Sequence, residues 1–225
     1  MCGRFYLTST PAGVSGHFGV DVRDNFPPRY NVAPTQPIAV IRHNDRREAE
    51  YALVRWGFIP EWAKGDYLQR LGAKPLINAR GETVAEKPTF RNAFKRRRCL
   101  IPADGFYEWK KQGEGKQPYG ISCGEVFAFA GVWETAIGPD GGEADTAAII
   151  TVASGADLKS LYPREPVVIA KERYADWLGA DERDGALVAE MLRPAPAETW
   201  RAVAVSKAVG SPRSDGPQLL TPIET

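Results

Sequence analysis

The chain has 225 residues, of which 43% are apolar and 25% are charged, and its formal net charge is +1 at pH 7. This composition excludes a disordered chain and is typical of a soluble globular protein that buries a core without disulfides or metals. The small net charge gives no information about partners, so any signal for a nucleic-acid interface has to come from local clusters of cations.

The cysteine and histidine content argues against a disulfide framework and against a metal site. Cys2, Cys99 and Cys123 are odd in number and widely spaced, which favours a reducing compartment. With only His17 and His43 available, we expect no metal and no cofactor. The N-terminus does not resemble a signal peptide, and no apolar run approaches the roughly 20 residues that span a bilayer. We therefore expect a cytoplasmic protein without a membrane partner.

Short runs rich in β-branched and aromatic residues dominate the chain. The first two, 38–43 and 51–56, flank a polar stretch and predict a hairpin. Further strands are predicted over 98–103, 105–110, 118–122, 126–133, 146–152, 166–170 and 200–205, with a turn at Gly138–Gly142. Helices are predicted over 89–97, 170–178 and 184–192, and Pro-rich connectors around 27–37 read as loops. Many strands without regular βαβ alternation predict an α+β fold with a mixed or barrel-like sheet.

Cys2 is the first candidate for chemistry because of its position. Removal of Met1 would leave its α-amine, with a pKa of about 7.7–8.0, two carbons from its thiol. An amine condenses with an aldehyde to an imine, and the thiol can then close a five-membered thiazolidine. A neighbouring cation such as Arg4 would increase the thiolate fraction. Position alone favours the alternative of a small cysteine packed at the edge of a core, as we expect for Cys99 and Cys123 in apolar strands.

A basic and aromatic segment is the second candidate. Six basic residues and no acidic one lie between positions 87 and 98. On a helix, Arg91, Lys95 and Arg98 would share one face, while Phe90 and Phe94 lie together on another. This cationic face suits a phosphate backbone, and a solvated charged face is the alternative. Nearby aromatic side chains could stack on unpaired bases or belong to the core: Trp56, Trp62, Phe106, Tyr107 and Trp109.

Glu108 is the third candidate. It lies between Tyr107 and Trp109 in a predicted strand, so its side chain points to the opposite face. A carboxyl group in aromatic surroundings can have a raised pKa and serve as a general acid or base. A solvated glutamate that faces outward is the alternative.

Nine motifs, in order along nearly the whole chain, resemble those of the SRAP family (SOS response-associated peptidase, also called abasic-site processing proteins). They are MCGRF at 1–5, RYNVAPT at 29–35, RWGFIPEWA at 55–63, INARGET at 77–83, PTFR at 88–91, RRCLIPADGFYEW at 97–109, KQPY at 116–119, FAGVWE at 129–134 and VSKAVG at 205–210. The resemblance implies a SRAP-like α+β fold, a single domain over residues 1–225, with a strongly bent β-sheet core and short peripheral helices. We expect a monomer.

The resemblance also implies a function and a set of site residues. The substrate would be an abasic site in single-stranded DNA, and the protein would remove its own Met1 and form a Cys2 thiazolidine with the open-chain deoxyribose aldehyde, which shields the lesion. Asn78 would orient the sugar or the Cys2 amine, and Glu108 would move protons. The expected DNA-binding residues are Arg4, Trp62, Arg80, Arg91 and Arg98.

One motif departs from the family pattern. The segment 161–166 reads LYPREP, where the family has a sequence near IHDRMP, so Tyr162 occupies the position of a catalytic histidine. A phenol has a pKa of about 10, against about 6.5 for imidazole, although it can still donate a hydrogen bond. We expect crosslink formation to persist and crosslink reversal or strand cleavage by a lyase reaction to be impaired. Glu165 is expected to add a negative charge near the site.

Two other functions stay open. The chain could be a thiol peptidase that acts on protein substrates through Cys2 and Glu108, although no cysteine and histidine occur together in a recognisable motif. It could also be a non-covalent module for single-stranded DNA, a reading that the replaced histidine favours.

Overall fold

The computed structural model describes residues 2–65, 74–137, 141–180 and 184–224. Thirteen strands lie in these ranges and form two sheets. In chain order they are β1 (Phe5–Leu7), β2 (Arg29–Val32), β3 (Pro37–His43), β4 (Ala49–Trp56), β5 (Asn78–Arg80), β6 (Arg98–Ala103), β7 (Gly105–Gln112), β8 (Gly115–Ser122), β9 (Phe127–Ile137), β10 (Glu143–Ala153), β11 (Arg164–Pro166), β12 (Val168–Ile169) and β13 (Arg201–Ala204).

Five strands close into a ring in the order β10–β4–β3–β6–β9, with β9 pairing back to β10. Neighbours in this ring are antiparallel except β10 and β4, which are parallel. Three short strands extend the ring: β5 and β11 lie beside β10, and β12 lies beside β9. The predicted α+β fold with a barrel-like sheet is confirmed.

The second sheet has the order β13–β8–β7–β1–β2, and all of its pairs are antiparallel. A two-residue turn joins β7 to β8, and its first residue, Gly113, has a φ of +58°. Tight hairpin turns require this left-handed conformation, which costs glycine little. The turn sets the register between β7 and β8, in which Glu108 lies opposite Tyr119.

One core cluster joins the two sheets. Alternate residues of all five ring strands contribute side chains to it, among them Ile38, Trp56, Ile101, Phe129 and Ile149. The N-terminal segment and the second sheet add Cys2, Phe5 and Phe106 to the same cluster. Because burial of this much apolar surface is the main stabilising term of a domain, the N-terminus is held where the two sheets meet.

Short helices cover the other face of the ring. They are Pro11–Phe18, Arg91–Arg96, Tyr174–Gly179 and Gly185–Met191, with a 3-10 helix at Lys171–Arg173. Phe94 and Trp177 pack there against Leu100 and Ile150. These two residues are next to Ile101 and Ile149 of the core cluster on the same strands, so their side chains point to the opposite face of the ring. Two further 3-10 helices, Lys207–Gly210 and Pro217–Leu220, pack instead on the second sheet, where Val209 and Leu219 join the cluster of Tyr6 and Tyr107. Within the described ranges, no helix is long and apolar enough to cross a membrane.

Several sequence predictions need correction. The helix predicted over 89–97 ends at Arg96, and Arg98 is the first residue of β6. Arg98 therefore does not share a helical face with Arg91 and Lys95. The strand predicted over 166–170 is divided into β11 and β12, which pair with different strands. The predicted turn at Gly138–Gly142 lies partly outside the described residues.

The helix Pro11–Phe18 was not predicted, although the sequence carries its signals. The Thr10 hydroxyl accepts a hydrogen bond from the Gly13 amide, and Pro11 occupies the first helical position. Gly19 ends the helix with a φ of 67°. A capping residue, an N-terminal proline and a C-terminal glycine are typical helix boundaries.

Candidate active site

Cys2 is fully buried between the two sheets. The pairing of β1 with β7 places Phe5 opposite Phe106, and the amide of Tyr107 donates to the carbonyl of Arg4 at 2.9 Å. In an antiparallel pair, residues before Phe5 lie alongside residues after Phe106, which brings Cys2 to Glu108. Burial raises the pKa of the Cys2 thiol, and the negative charge of Glu108 raises it further.

Glu108 is buried on β7. Phe106 and Glu108 point to the face that carries Cys2, whereas Tyr107 packs on the other face with Tyr6. Only 3% of Glu108 is exposed, and this burial raises the pKa of its carboxyl to about 7. A carboxyl group with such a pKa is partly protonated near neutral pH, so it can both accept and donate a proton.

Asn78 fixes the backbone of Cys2. It is the first residue of β5, which pairs in parallel with β10 and places Asn78 opposite Ile149. Its Nδ2 donates to the carbonyl oxygen of Cys2 at 2.9 Å. Its Oδ1 is buried and has no hydrogen-bond partner in the part of the chain that the structure describes. Since buried polar atoms are normally paired, Oδ1 is available to a donor that belongs to a substrate or to a freed amine.

Tyr162 is the fourth predicted catalytic residue. It lies two residues before β11, and its amide donates to the carbonyl of Leu158 at 2.9 Å. Its side chain is half-buried, and burial raises the pKa of the phenol, with a further increase from the Glu108 carboxylate. Thus all four predicted catalytic residues are linked, Asn78 and Cys2 by a hydrogen bond and Tyr162 and Cys2 to Glu108 by electrostatic interaction.

Three predicted DNA-binding residues lie on the surface. Trp62 is 49% exposed, and its Nε1 donates to the carbonyl of Pro88 at 3.4 Å. Arg91, three residues after Pro88, and Arg80, at the end of β5, are also exposed. An exposed indole can stack on a base, and exposed cations can contact phosphates.

Arg98 is a correction to the predicted DNA-binding set. It is only 5% exposed. Its guanidinium donates to the carbonyls of Phe94 at 2.5 Å and Trp177 at 2.8 Å, and also to the carbonyl of Ala180. A buried guanidinium that satisfies helix-terminal carbonyls stabilises the fold and is not presented to phosphates.

Arg4 also has protein partners. Its Nη1 donates to Oδ1 of Asn31 at 2.8 Å and to the carbonyl of Val209 at 2.7 Å. Sequence reasoning missed Asn31, whose Nδ2 donates to the carbonyls of Ser211 at 2.9 Å and Ser214 at 2.7 Å. Asn31 lies in the motif at 29–35 and Val209 in the motif at 205–210, but the spacing of the motifs does not reveal that these two segments meet. Arg4 therefore ties the N-terminal strand to the C-terminal segment.

Other expectations divide between confirmation and correction. Trp56, Phe106, Tyr107 and Cys99 are fully buried, so the core interpretation holds for them. Cys123, expected to be buried, is half-buried just after β8. Among the described residues, no group of three or more histidine, cysteine or acidic side chains could hold a metal.

Glu165 was expected to add a negative charge near the site, but its side chain is buried and bound to backbone groups. It is 1% exposed, and its carboxylate accepts hydrogen bonds from the amides of Gly155 at 2.9 Å and Ala195 at 2.7 Å. Both of its oxygens accept hydrogen bonds from backbone amides, so Glu165 holds two loops together and is not placed to repel phosphates.

Comparisons with known proteins agree with this architecture. The model of the SOS response associated peptidase (SRAP) family matches residues 1–212. The chain is 38% identical to abasic site processing protein YoqW of Bacillus subtilis (strain 168), over 98% of this chain and 99% of that protein. It is 30% identical to abasic site processing protein YedK of Escherichia coli (strain K12), over 99% and 100%.

Solved structures share the fold of this chain. A crystal structure of a protein from Bacteroides thetaiotaomicron matches with a TM-score of 0.85 and 23% identity, covering 99% of this chain and 100% of that one. A second, from Bordetella bronchiseptica, matches with a TM-score of 0.80 and 27% identity, covering 91% and 100%. On its sequence, the chain belongs to the SRAP family.

Proposed function

We propose that this chain processes abasic sites in single-stranded DNA by forming a covalent thiazolidine between Cys2 and the aldehyde of the open-chain deoxyribose. The names of YoqW and YedK, both abasic site processing proteins, support the substrate class. The observation that carries the proposal is the burial of Cys2 between Asn78 and Glu108, a thiol held beside an amide and a carboxyl group with a pKa of about 7.

The reaction requires a free Cys2 amine, so we include removal of Met1 by the protein itself. Hydrolysis of the Met1–Cys2 peptide bond consumes one water and releases methionine and the amine of Cys2. Glu108 is the group placed to take a proton from the attacking nucleophile and to return it to the leaving amine, because its pKa lies close to neutral pH.

Crosslinking then follows in three steps without any change in oxidation state. The Cys2 nitrogen adds to C1′ of the aldehyde, and Oδ1 of Asn78 accepts a hydrogen bond from the amine. The carbinolamine loses its hydroxyl as water when protonated Glu108 donates a proton, and the iminium that forms returns its N–H proton to the Glu108 carboxylate, which leaves a neutral imine. The Cys2 sulfur adds to the imine carbon, and the thiol proton is transferred through Glu108 to the ring nitrogen. One water leaves for each crosslink.

Tyr162 makes release slower than capture in this proposal. A phenol whose pKa is raised above its ordinary value donates hydrogen bonds at neutral pH but does not exchange protons readily. Ring reopening and strand cleavage need such exchange. Tyr162→His is expected to speed crosslink reversal or cleavage more than crosslink formation. Equal rates in the two proteins, measured by chasing the adduct with unlabelled abasic DNA, contradict this role.

The test is a denaturing gel of the protein mixed with single-stranded DNA that carries one abasic site. We expect an adduct that survives salt and heat, and an intact mass without Met1. Cys2→Ala keeps an amine but forms only an imine, so its adduct is lost on heating. Cys123→Ala is the matched control and keeps the adduct. Peptide cleavage without an adduct would indicate the thiol peptidase, and salt-sensitive binding alone would indicate the non-covalent module; either result overturns the proposal.

A further inference from the structure

An ion pair connects the two segments that carry Asn78 and Tyr162. Nη1 and Nη2 of Arg164 donate to Oε1 and Oε2 of Glu82 at 3.0 Å and 2.8 Å. Glu82 follows Asn78 by four positions, and Arg164 follows Tyr162 by two. Two parallel hydrogen bonds between a guanidinium and a carboxylate fix the relative orientation of the groups as well as their distance.

The pair bridges a buried strand. Thr151 of β10 pairs with Arg80 of β5 on one edge and with Pro166 of β11 on the other, so these two short strands lie on opposite sides of β10. Arg164 crosses this strand, because its Nε donates to Oγ1 of Thr151 at 3.2 Å and its Nη2 to the carbonyl of Thr151 at 2.5 Å. The guanidinium is therefore anchored to the centre of the sheet before it reaches Glu82.

Gly81 brings the other partner close to the same strand. Its amide donates to the carbonyl of Thr151 at 2.8 Å, and a Cβ at this position would lie 2.8 Å from Cγ1 of Val152. Only glycine fits against β10 here, and the close approach directs the next residue, Glu82, to the guanidinium. The hydrogen bond from Arg164 and one from the amide of Ala153 lower the pKa of Glu82, which keeps it charged at neutral pH.

We propose that Glu82 and Arg164 are positioning residues that hold Asn78 and Tyr162 in a single geometry for capture of the abasic-site aldehyde. This inference rests on the proposed function, because it assigns the pair to the same site. The pair is only partly buried, with the side chain of Arg164 18% exposed and that of Glu82 48% exposed. Such ion pairs add little to global stability, so loss of the pair is expected to loosen the two active-site segments without unfolding the protein.

Glu82→Gln tests the proposal, since it keeps the shape of the side chain and removes its charge. Under single-turnover conditions at saturating abasic DNA, we expect the crosslinking rate to fall about tenfold, as misplaced catalytic groups do. Affinity for single-stranded DNA without an abasic site should stay within about twofold, because Arg80 is the one proposed DNA-binding residue on this segment, whereas Trp62 and Arg91 lie outside it. Glu82→Asp should recover part of the rate. Asp176→Asn, which breaks the surface ion pair with Arg173 at 2.7 Å, is the matched control and keeps the wild-type rate.

A second measurement needs no DNA. The NMR signal of the Asn78 side-chain amide, which donates to Cys2, is expected to shift in Glu82→Gln and to stay in place in Asp176→Asn. If the wild-type protein forms no adduct, the proposed function fails, and this signal still decides the coupling. The positioning role is overturned if Glu82→Gln crosslinks at the wild-type rate with an unmoved amide signal. It is equally overturned if the lost rate only matches a lost fraction of folded protein.

Discussion

Replacing Glu108 with glutamine tests the electrostatics of the site in the absence of DNA. Burial raises the pKa of this carboxyl from 4.5 to about 7 in the folded protein. Between these two pH values the folded protein holds a proton that the unfolded chain has released. The free energy of unfolding therefore falls as pH rises, starting near the unfolded value and ending above the folded one.

The size of this effect follows from the two pKa values. Each pH unit between them corresponds to 1.36 kcal/mol, so the buried carboxylate destabilises the protein by about 3 kcal/mol above pH 7. Glu108→Gln removes the ionisation. At pH 8 the variant should gain up to about 3 kcal/mol, or roughly 6–12 °C in Tm for a chain of this length. At pH 5 the gain should shrink to about 1 kcal/mol or less.

Urea denaturation at pH 5 and pH 8 measures the two differences, after intact mass has shown that both proteins have the same N-terminus. Asp157→Asn serves as a control, because the amides of Trp200 and Glu198 hold the pKa of Asp157 below its ordinary value. Its stabilising contribution is complete at both pH values, so its loss should lower stability equally at pH 5 and pH 8. If the free energy of unfolding depends on pH in the same way for wild type and Glu108→Gln, the reasoning is refuted. Glu108 would then titrate as an ordinary carboxyl group, which could not exchange protons at neutral pH.

Four further outcomes follow from the packing and the surface. Arg98→Ala should lower the free energy of unfolding by about 3 kcal/mol in urea, because it strips buried carbonyls of a charged donor, while the folded fraction keeps its DNA affinity. Gly105→Ala drives a methyl group into the hydroxyl of Tyr6, which should cost about 1–3 kcal/mol in the same assay. Trp62→Ala should weaken binding of single-stranded DNA by about 1–3 kcal/mol with an unchanged salt dependence, whereas Arg91→Ala should reduce the slope of affinity against salt by about 1.

The long strands could be predicted from the sequence, whereas two of the three-residue strands, β1 and β5, could not. Runs such as those in β9 and β10 are buried along most of their length and hold eleven residues each, long enough for composition to indicate a strand. The strands β1 and β5 have three residues each, too few for any periodicity. Their extended conformation depends on pairing with β7 and β10, partners that lie far away in the sequence.

The site divides in a similar way. Cys2, Asn78 and Glu108 could be named from motifs, because a reactive residue type at a fixed position is itself a sequence feature. The surroundings of the charged residues could not be predicted from the sequence. Arg98 and Glu165 were expected to face solvent or DNA, yet both are buried and bound to backbone groups of distant segments. Burial of a charge depends on which carbonyls or amides reach it, and residue composition carries no such information.

The protonation of the Cys2 thiol determines whether the amine or the sulfur of Cys2 reacts first in the proposed reaction. Burial and the Glu108 charge raise the thiol pKa, so the nucleophilic thiolate is scarce at neutral pH, and in the proposed reaction the amine reacts with the aldehyde first. Sulfur then needs to add only to an imine already held against it. In the folded full-length chain, iodoacetamide should label half-buried Cys123 before buried Cys2, as followed by peptide mass spectrometry. Labelling of Cys2 first would indicate an exposed, ionised thiol, for which capture through sulfur becomes the faster route.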